Sequence, residues 1–335
     1  MSRVSVLGAG TWGFALARLL ANRDHETVLW SALPEEVASL RETRSHPRLP
    51  GVLLPAGVRL TEKAEEAACG RDLVVFAVPS PYVRATARRM KPFLAPEQLM
   101  ADAAKGIEPG TLLPLSEVIR QEIGENARVV ALSGPTHAEE VAQDKLTAIV
   151  AACADEQAAK AVQAIFMTPS FRVYTNTDIR GVELCGALKN IIALAAGISD
   201  GLGQGDNARA ALITRGLAEM QRLGRAMGMQ AGTFAGLSGM GDLIVTCTSR
   251  FSRNHQAGEL IGSGVAPDEA IRRVGMVVEG VNALPAAVSL GEKYQVELPI
   301  VQAVDAVIHG RTTPVDAVRG LMLREGRDEI SRNQD

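Results

Sequence analysis

The sequence is poor in the residues that bind metals or form disulfides. Its 335 residues contain four cysteines and five histidines, and none of these form a CxxC pair or a Cys/His cluster with metal-ligand spacing. The pattern therefore gives no indication of a metal site. We expect reduced thiols, as is usual in the cytoplasm, at Cys69, Cys153, Cys185 and Cys247.

The chain also lacks a strong charge of either sign. Its formal net charge is −3, and no segment concentrates lysines and arginines. A nucleic-acid binder needs a basic stripe, so we exclude nucleic acid as a partner. An anionic ligand would have to be bound by local donors, because the protein as a whole does not attract it.

Long apolar runs are missing as well. We find no apolar stretch that approaches the roughly 20 residues needed to span a bilayer. The chain enters a strand-like run at residues 4–7 without a charged leader. We therefore expect a cytoplasmic protein without membrane insertion.

The residues that are present indicate two domains. Short β-branched runs alternate with helical patterns in the first half, which is typical of a parallel sheet covered by helices on both faces. After about residue 178, long Ala/Leu/Met-rich helical patterns replace the strands. We predict an α/β protein with an N-terminal doubly wound Rossmann-like parallel sheet, residues 1–180, and an all-helical C-terminal domain, residues 181–335. The strand candidates are residues 4–7, 27–30, 73–78, 99–104, 129–132, 148–152 and 171–174.

A glycine-rich turn follows the first strand candidate and precedes a helical pattern. In this GxGxxG, Gly8 permits a tight turn, Gly10 lets a pyrophosphate approach the backbone, and Gly13 lets helix and strand pack closely. A pyrophosphate would lie on the helix N-terminus, where the amides and the dipole favour anions. The pattern predicts a dinucleotide site.

The end of the second strand candidate does not indicate which dinucleotide binds. An acid about 20 residues after the glycines would hold the ribose of NAD, and a nearby arginine would hold the 2′-phosphate of NADP. Neither is found at Ser31 or Ala32. We interpret Glu35 and Glu36 as the opening of a helix, so NAD and NADP both remain candidates.

A single lysine, Lys189, lies within the almost wholly apolar residues 183–200. A helix that is apolar around most of its circumference is buried. A buried lysine costs several kcal/mol unless it is paired or loses its proton. A desolvated amine is suited to proton transfer near neutral pH, so we predict that Lys189 is catalytic.

Polar residues that follow other strand candidates are further ligand candidates. Lys105 lies at the carboxyl edge of the sheet, where it is either a ligand contact or a solvated lysine. Thr136 and Glu139 fit a capping box, or Gly134 and Thr136 supply donors to a substrate. His137 is a candidate acid or base, but a lone histidine is more often a surface or capping residue, and we interpret it as one.

The helical half contains one more polar cluster. Asp242 follows a glycine-rich loop, and Ser252, Arg253 and Asn254 come just before a helical pattern. A hydroxyl, a guanidinium and an amide at a helix start can form a phosphate cradle. Spacing alone favours the simpler interpretation, in which Ser252 is an N-cap.

Taken together, these segments resemble the bacterial type of the NAD(P)-dependent glycerol-3-phosphate dehydrogenase family. The similarity extends along nearly the whole chain. The closest correspondence is at residues 8–17, 133–141, 186–220, 236–254 and 277–280. The segments around Lys189 and Ser252 are specific to this family, whereas many dehydrogenases share the glycine fingerprint.

The resemblance implies reduction of dihydroxyacetone phosphate to sn-glycerol 3-phosphate by NADPH or NADH, which supplies phospholipid synthesis. It implies that Lys189 is the proton donor or acceptor. The implied substrate contacts are Lys105, Gly134, Thr136, Lys189, Asp242, Ser252, Arg253 and Asn254. The expected cofactor contacts are Gly8, Gly10, Thr11, Trp12, Gly13, Ala32, Lys105, Ala138, Arg253, Val277 and Glu279.

The family often has a basic residue or a histidine at the position of Ala32, so its usual NADPH preference does not carry over. Two other functions fit the two-domain plan. A β-hydroxyacid or ketopantoate reductase would take a carboxylate in place of a phosphate, and a nucleotide-binding sensor would bind NAD(P)H without turnover. The helical domain can also offer a face for a homodimer.

Overall fold

One mixed sheet forms the N-terminal half of the protein. The computed structural model describes residues 1–326 and 328–329. Across these residues, eight strands form a single sheet in the order β3-β2-β1-β4-β5-β6-β7-β8. They are β1 (Arg3–Leu7), β2 (Glu26–Trp30), β3 (Arg59–Thr61), β4 (Leu73–Phe76), β5 (Leu99–Asp102), β6 (Arg128–Ser133), β7 (Thr147–Ala152) and β8 (Phe171–Asn176).

The first six strands run parallel in the order of a doubly wound dinucleotide fold, which confirms the predicted fold class. The prediction of a wholly parallel sheet is wrong at one place, because β6 and β7 pair antiparallel. The three-residue strand β3 was not predicted. The strand order reverses between β1 and β4, and ligands bind at such a switch point.

Side chains alternate between the two faces of the sheet because successive residues of a strand point in opposite directions. Val4 and Val6 of β1 belong to one apolar core, and Leu7 belongs to the other. Both cores are covered by helices, as the alternating pattern predicts.

Sixteen α-helices lie within the described residues. They are α1 (Thr11–Ala21), α2 (Pro34–Thr43), α3 (Ala64–Ala68), α4 (Val83–Met90), α5 (Leu115–Ile123), α6 (Ala138–Val141), α7 (Glu156–Phe166), α8 (Ile179–Gly201), α9 (Gly205–Ala226), α10 (Ala231–Ala235), α11 (Asp242–Thr248), α12 (Arg253–Gly262), α13 (Pro267–Val274), α14 (Glu279–Lys293), α15 (Pro299–Ile308) and α16 (Pro314–Met322). In the described part of the chain, no strand follows Asn176. The division into domains at residue 180 stays a prediction.

Helix α8 is the central helix of the second half. Its 23 residues are long and apolar enough to cross a membrane by length and composition, so the expectation that no such stretch exists is wrong. The most apolar window of α8 is nevertheless entirely buried inside the protein. The helix packs against α9, α11, α12, α14 and α15, which is the role of a core helix.

Glycines let α12 lie directly on α8. A Cβ atom at Gly197 of α8 would lie 2.1 Å from the His255 carbonyl oxygen. A Cβ atom at Gly258 of α12 would lie 2.2 Å from the Leu194 carbonyl oxygen. The backbones of α8 and α12 are therefore in direct contact. This contact holds the start of α12 beside the middle of α8, where Lys189 lies.

Candidate active site

A cleft of about 720 Å³ separates the carboxyl edge of the sheet from the helical half. Residues from both halves line it, including the glycine turn after β1 and the start of α12. A cleft of this size is within the usual range for a cofactor site. It lies at the β1/β4 switch point, where the sequence predicts the dinucleotide.

The glycine turn has the backbone geometry that a dinucleotide requires. Gly8 has a φ of 114°, and a Cβ atom there would lie 2.7 Å from the Ala77 carbonyl oxygen. A Cβ atom at Gly13 would lie 1.8 Å from the Gly8 carbonyl oxygen, so Gly13 serves the close packing of helix and strand. A Cβ atom at Gly10 would meet no atom within 4 Å and would project into the space that a pyrophosphate needs.

The N-terminus of α1 opens into the same space. Gly10 is its N-cap, and no side chain caps the helix. Backbone N–H groups of the first turn can therefore bind an anion. Thr11 and Trp12 line the cleft beside them. These observations fit the pyrophosphate of NAD or NADP.

An acid does lie near the end of β2, although it comes from the following helix. The Ser31 hydroxyl donates to Oε2 of Glu36 at 2.6 Å. Ala32 and Glu36 both line the cleft. The interpretation of Glu36 as a helix-opening residue alone is therefore incomplete.

Lys189 lies at the opposite end of the cleft, with 6% of its surface exposed. Its Nζ donates to Oδ1 of Asp242 at 2.9 Å and to the Thr246 hydroxyl at 2.7 Å. Lys105 Nζ donates to Oδ2 of Asp242 at 2.6 Å and to the Gly134 carbonyl at 3.0 Å. One buried carboxylate thus orients two lysines at the edge of the cleft.

The electrostatics of this cluster suit proton transfer. Burial lowers the pKa of Lys189 to about 8, although the adjacent Asp242 carboxylate acts to raise it. Burial acts to raise the pKa of Asp242, but Lys105 and Lys189 outweigh it and lower that pKa below its usual value. The ammonium of Lys189 can therefore release its proton near neutral pH.

The chain places Asp242 by an unusual turn. A π-helical turn, Leu237–Gly241, runs directly into α11. Such turns are frequent at functional sites. A Cβ atom at Gly239 would lie 2.0 Å from the Phe234 carbonyl oxygen, so the turn requires glycine there. Thr246 is one turn further along α11, and its hydroxyl accepts from the same amine, a contact that the sequence does not indicate.

The predicted capping box at Thr136 is wrong. The Thr136 hydroxyl donates to the Gly134 carbonyl at 3.0 Å, and α6 begins at Ala138 without a side-chain cap. The same Gly134 carbonyl accepts from Lys105. Gly134 therefore orients Lys105 from behind the wall of the cleft, while Thr136 and Ala138 line it.

His137 also lines the cleft, so its interpretation as a surface residue is wrong. Burial and the charge of Lys189 lower the pKa of its imidazole. Its Nε2 is buried and has no hydrogen-bond partner among the described residues. The ring is therefore neutral near pH 7.

The start of α12 forms another part of the wall. The Ser252 hydroxyl accepts from the His255 N–H at 3.2 Å, which makes Ser252 the N-cap. The Asn254 amide donates to Oδ1 of Asn190 at 2.9 Å and accepts from the Gly280 N–H at 2.8 Å. All three residues of the predicted phosphate cradle line the cleft beside Lys189.

Glu279 and Val277 line the cleft as predicted, but Glu279 also connects the two halves. Its carboxylate accepts from the Ser80 N–H at 3.0 Å and from the Ser80 hydroxyl at 2.6 Å. Ser80 follows β4, so this contact spans the cleft. Whether Glu279 also contacts a cofactor stays a prediction.

Most of the predicted site residues line this one cleft, and three lie just behind its wall. The lining residues are Gly8, Gly10, Thr11, Trp12, Ala32, Lys105, Thr136, Ala138, Lys189, Ser252, Arg253, Asn254, Val277 and Glu279. The other three contact lining residues: Gly13 packs against Gly8, and the Gly134 carbonyl and the Asp242 carboxylate accept hydrogen bonds from Lys105. Within the described residues, no group of three or more His, Cys, Asp or Glu side chains could hold a metal ion.

Two family profiles match the chain. The profile described as the N-terminus of NAD-dependent glycerol-3-phosphate dehydrogenase matches residues 3–159, and the profile for its C-terminus matches residues 178–319. A curated relative from Lactobacillus delbrueckii subsp. bulgaricus, named glycerol-3-phosphate dehydrogenase (NAD(P)+) 2, is 55% identical. That alignment covers 99% of this chain and 100% of the relative.

Solved structures agree with the profiles. The crystal structure of a glycerol-3-phosphate dehydrogenase from Coxiella burnetii superimposes with a TM-score of 0.93 at 37% identity, covering 96% of this chain and 99% of that one. A ketopantoate reductase from Ralstonia eutropha has a TM-score of 0.64 at 18% identity, covering 94% and 99%, and therefore shares the fold alone. The chain belongs to the NAD-dependent glycerol-3-phosphate dehydrogenase family.

Proposed function

We propose that this protein reduces dihydroxyacetone phosphate to sn-glycerol 3-phosphate with NADH or NADPH. The reaction would take place in the cytoplasm and supply the glycerol backbone of phospholipids. One observation supports the proposal above all others. Two lysines, of which Lys189 is buried, share one buried carboxylate in the cleft between a dinucleotide turn and an arginine at a helix start.

Reduction of a ketone needs a hydride at the carbon and a proton at the oxygen. The bound nicotinamide supplies the hydride, and the protein supplies position and charge. Negative charge develops on the carbonyl oxygen in the transition state, and a cation beside that oxygen stabilises it. The ammonium of Lys189 provides this cation and then donates its proton to the oxygen.

Asp242 and Thr246 determine where that proton points. Both accept hydrogen bonds from Lys189, at 2.9 Å and 2.7 Å, which leaves the third N–H of the ammonium for the substrate. The two lysines outnumber the Asp242 carboxylate by one charge. The cluster therefore has a net positive charge, which attracts the substrate and favours the developing alkoxide.

Arg253 is the residue best suited to grip the substrate phosphate. It lines the cleft, and its guanidinium makes no hydrogen bond or close ion pair among the described residues, although the carboxylates of Glu279 and Glu139 act on it over a longer distance. A guanidinium binds phosphate oxygens in a bidentate manner. Binding of this remote group orients the carbonyl for reaction.

The proposal is tested by following the loss of reduced nicotinamide absorbance with purified protein. Dihydroxyacetone phosphate should support rapid turnover with NADH or NADPH. Dihydroxyacetone, which lacks the phosphate, and ketopantoate, which is a carboxylate, should support little. Tight binding of NADH and NADPH without oxidation of either would overturn the proposal in favour of a sensor, and turnover with ketopantoate alone would favour a carboxylate reductase.

A further inference from the structure

We infer that the carboxylate of Glu36 selects NADH over NADPH at the adenosine end of the cleft. The inference rests on the proposed function, because it names the preferred cofactor of the same site. Its basis is the placement of one acid at the end of β2, together with the engagement of the neighbouring cations elsewhere.

Ser31 holds the Glu36 carboxylate in place. Its hydroxyl donates to Oε2 of Glu36 at 2.6 Å and accepts from the Leu33 N–H at 3.1 Å. Ser31 is 3% exposed and directly follows β2, so its position is set by the sheet. The second oxygen of Glu36 has no hydrogen bond or ion pair with a described residue, and the side chain lines the cleft.

The end of the second strand is where a dinucleotide fold contacts the adenosine ribose. A carboxylate there accepts hydrogen bonds from ribose hydroxyls, which NADH offers. NADPH carries a phosphate of about −1.5 to −2 charge in place of the 2′-hydroxyl, which can neither donate nor approach a carboxylate without repulsion. Position 32, where such an acid is expected, is an alanine. Glu36, in the first turn of α2, supplies the carboxylate instead.

Cations near Glu36 do not neutralise it. Burial lowers the pKa of His46, so its ring is neutral at pH 7. Arg48 donates to the Gly275 carbonyl across the cleft.

Arg89 is the third basic residue among the described residues that line this end of the cleft. Its guanidinium lies over the Trp30 ring, 5.1 Å from the centroid, and donates to the Glu62 carbonyl at 3.3 Å. Arg89 is therefore held against the end of β2 by contacts of its own. It is the residue that would hold a 2′-phosphate if the inference were wrong.

Calorimetric titration with two nucleotides that lack nicotinamide tests the inference without turnover. The probes are ADP-ribose and its 2′-phosphorylated form. The native protein should bind ADP-ribose at least about tenfold more tightly, which corresponds to one like-charge contact of about 1.4 kcal/mol. Glu36→Gln should bring the two dissociation constants to within about threefold of each other.

Glu35→Gln is the matched control, because it removes the same charge from the same helical turn at a residue that does not line the cleft. Its ratio of dissociation constants should equal the native ratio. Ser31→Ala should lower the ratio only in part, because the carboxylate remains but is no longer held. The ratio of kcat/KM for NADH and NADPH should change in the same order among these variants.

A native preference for the 2′-phosphorylated probe would overturn the inference, above all if Arg89→Ala abolished that preference. An unchanged ratio in Glu36→Gln would overturn it as well. Neither result depends on dihydroxyacetone phosphate. A protein that prefers ADP-ribose through Glu36 but does not reduce that substrate would leave this inference standing and refute the proposed function.

Discussion

Lys189 is buried, and burial disfavours the charged form of its amine. An isolated ammonium in an apolar helix would lose its proton. The Asp242 carboxylate at 2.9 Å counters this effect, and the pKa remains at about 8. The residue can therefore act as an acid in reduction and as a base in the reverse reaction.

The pKa of Lys189 predicts opposite pH dependences for the two directions. Because its pKa is lowered from 10.5 to about 8, the ammonium is lost as pH rises through 8. With saturating cofactor, kcat/KM for dihydroxyacetone phosphate should fall above pH 8, while kcat/KM for sn-glycerol 3-phosphate should rise. Initial rates from pH 6.5 to 10 test this expectation. If kcat/KM changed in the same direction with rising pH for both substrates, Lys189 would not be the group that transfers the proton.

Arg253→Ala should act mainly on substrate binding. A charged hydrogen-bonded contact contributes about 1.5–3 kcal/mol, so loss of the bidentate phosphate contact should raise the KM for dihydroxyacetone phosphate by about 10-fold to 150-fold. Turnover of dihydroxyacetone, which lacks the phosphate, should not change. Arg250→Ala is the control, because Arg250 is exposed and does not line the cleft. An unchanged KM in Arg253→Ala would exclude the phosphate contact.

Single residues differ in how well the sequence predicts them. Lys189 was predictable because a lysine in an apolar helix conflicts with its surroundings, and such conflicts mark functional sites. Thr246 and Glu36 were not, because a threonine in a helix and an acid in a first helical turn are ordinary in sequence. Only the packing of α11 against α8, and of α2 beside β2, shows what they contact.

At the scale of elements, the contact between α8 and α12 positions the substrate site. The glycines of the two helices place backbone against backbone, so α12 cannot shift without losing the contact. The start of α12 contains Arg253, and the middle of α8 contains Lys189. This contact therefore sets the distance between the phosphate end and the reacting end of the substrate.

Gly258→Ala tests this packing. Its Cβ atom would lie 2.2 Å from the Leu194 carbonyl oxygen and 2.8 Å from the Ile198 nitrogen, both backbone atoms that cannot move aside alone. We expect a loss of about 1–3 kcal/mol in the free energy of unfolding, together with a raised KM.

Gly320→Ala is the control for that variant. Gly320 also lies in a helix, but a Cβ atom there would meet no atom within 4 Å. This control should be neutral or stabilised by up to about 1 kcal/mol, because alanine favours helix. Urea denaturation measures both variants. Equal stability of the two would show that the helices tolerate a larger separation.

Elements were predictable where their pattern is local. The strands of the nucleotide fold and the helical second half follow from alternation and periodicity, and the described structure confirms them. The antiparallel pairing of β6 with β7 was not predictable, because a buried strand has the same apolar pattern whether it pairs parallel or antiparallel. The missed strand β3 has only three residues, too few to show a period.

At the scale of the molecule, hydrogen bonds between the two halves hold them together. Glu183 of α8 accepts from the Ser116 N–H at 2.8 Å and from the Ser116 hydroxyl at 2.6 Å, which caps α5 from the opposite half. Burial raises the pKa of this carboxyl to about 7. Ser80 and Glu279 form a second link.

These links join residues that are far apart in the chain, and no local pattern reveals them. The sequence indicated that a dinucleotide turn and a buried lysine exist, whereas only the folded molecule shows that both face one cleft. The proposed reaction requires the dinucleotide turn and Lys189 to face the same cleft, because a hydride and a proton must reach the same carbonyl group.

Turnover by Lys189→Met tests the account most directly. Methionine keeps an unbranched apolar side chain that reaches as far as Cε and removes only the terminal amine. The variant should bind ADP-ribose with native affinity and lose kcat for dihydroxyacetone phosphate by about 10³–10⁴-fold. Lys145→Met, at an exposed lysine, is the control and should retain native turnover. A Lys189→Met protein that keeps its fold and turns over within tenfold of native would contradict the account.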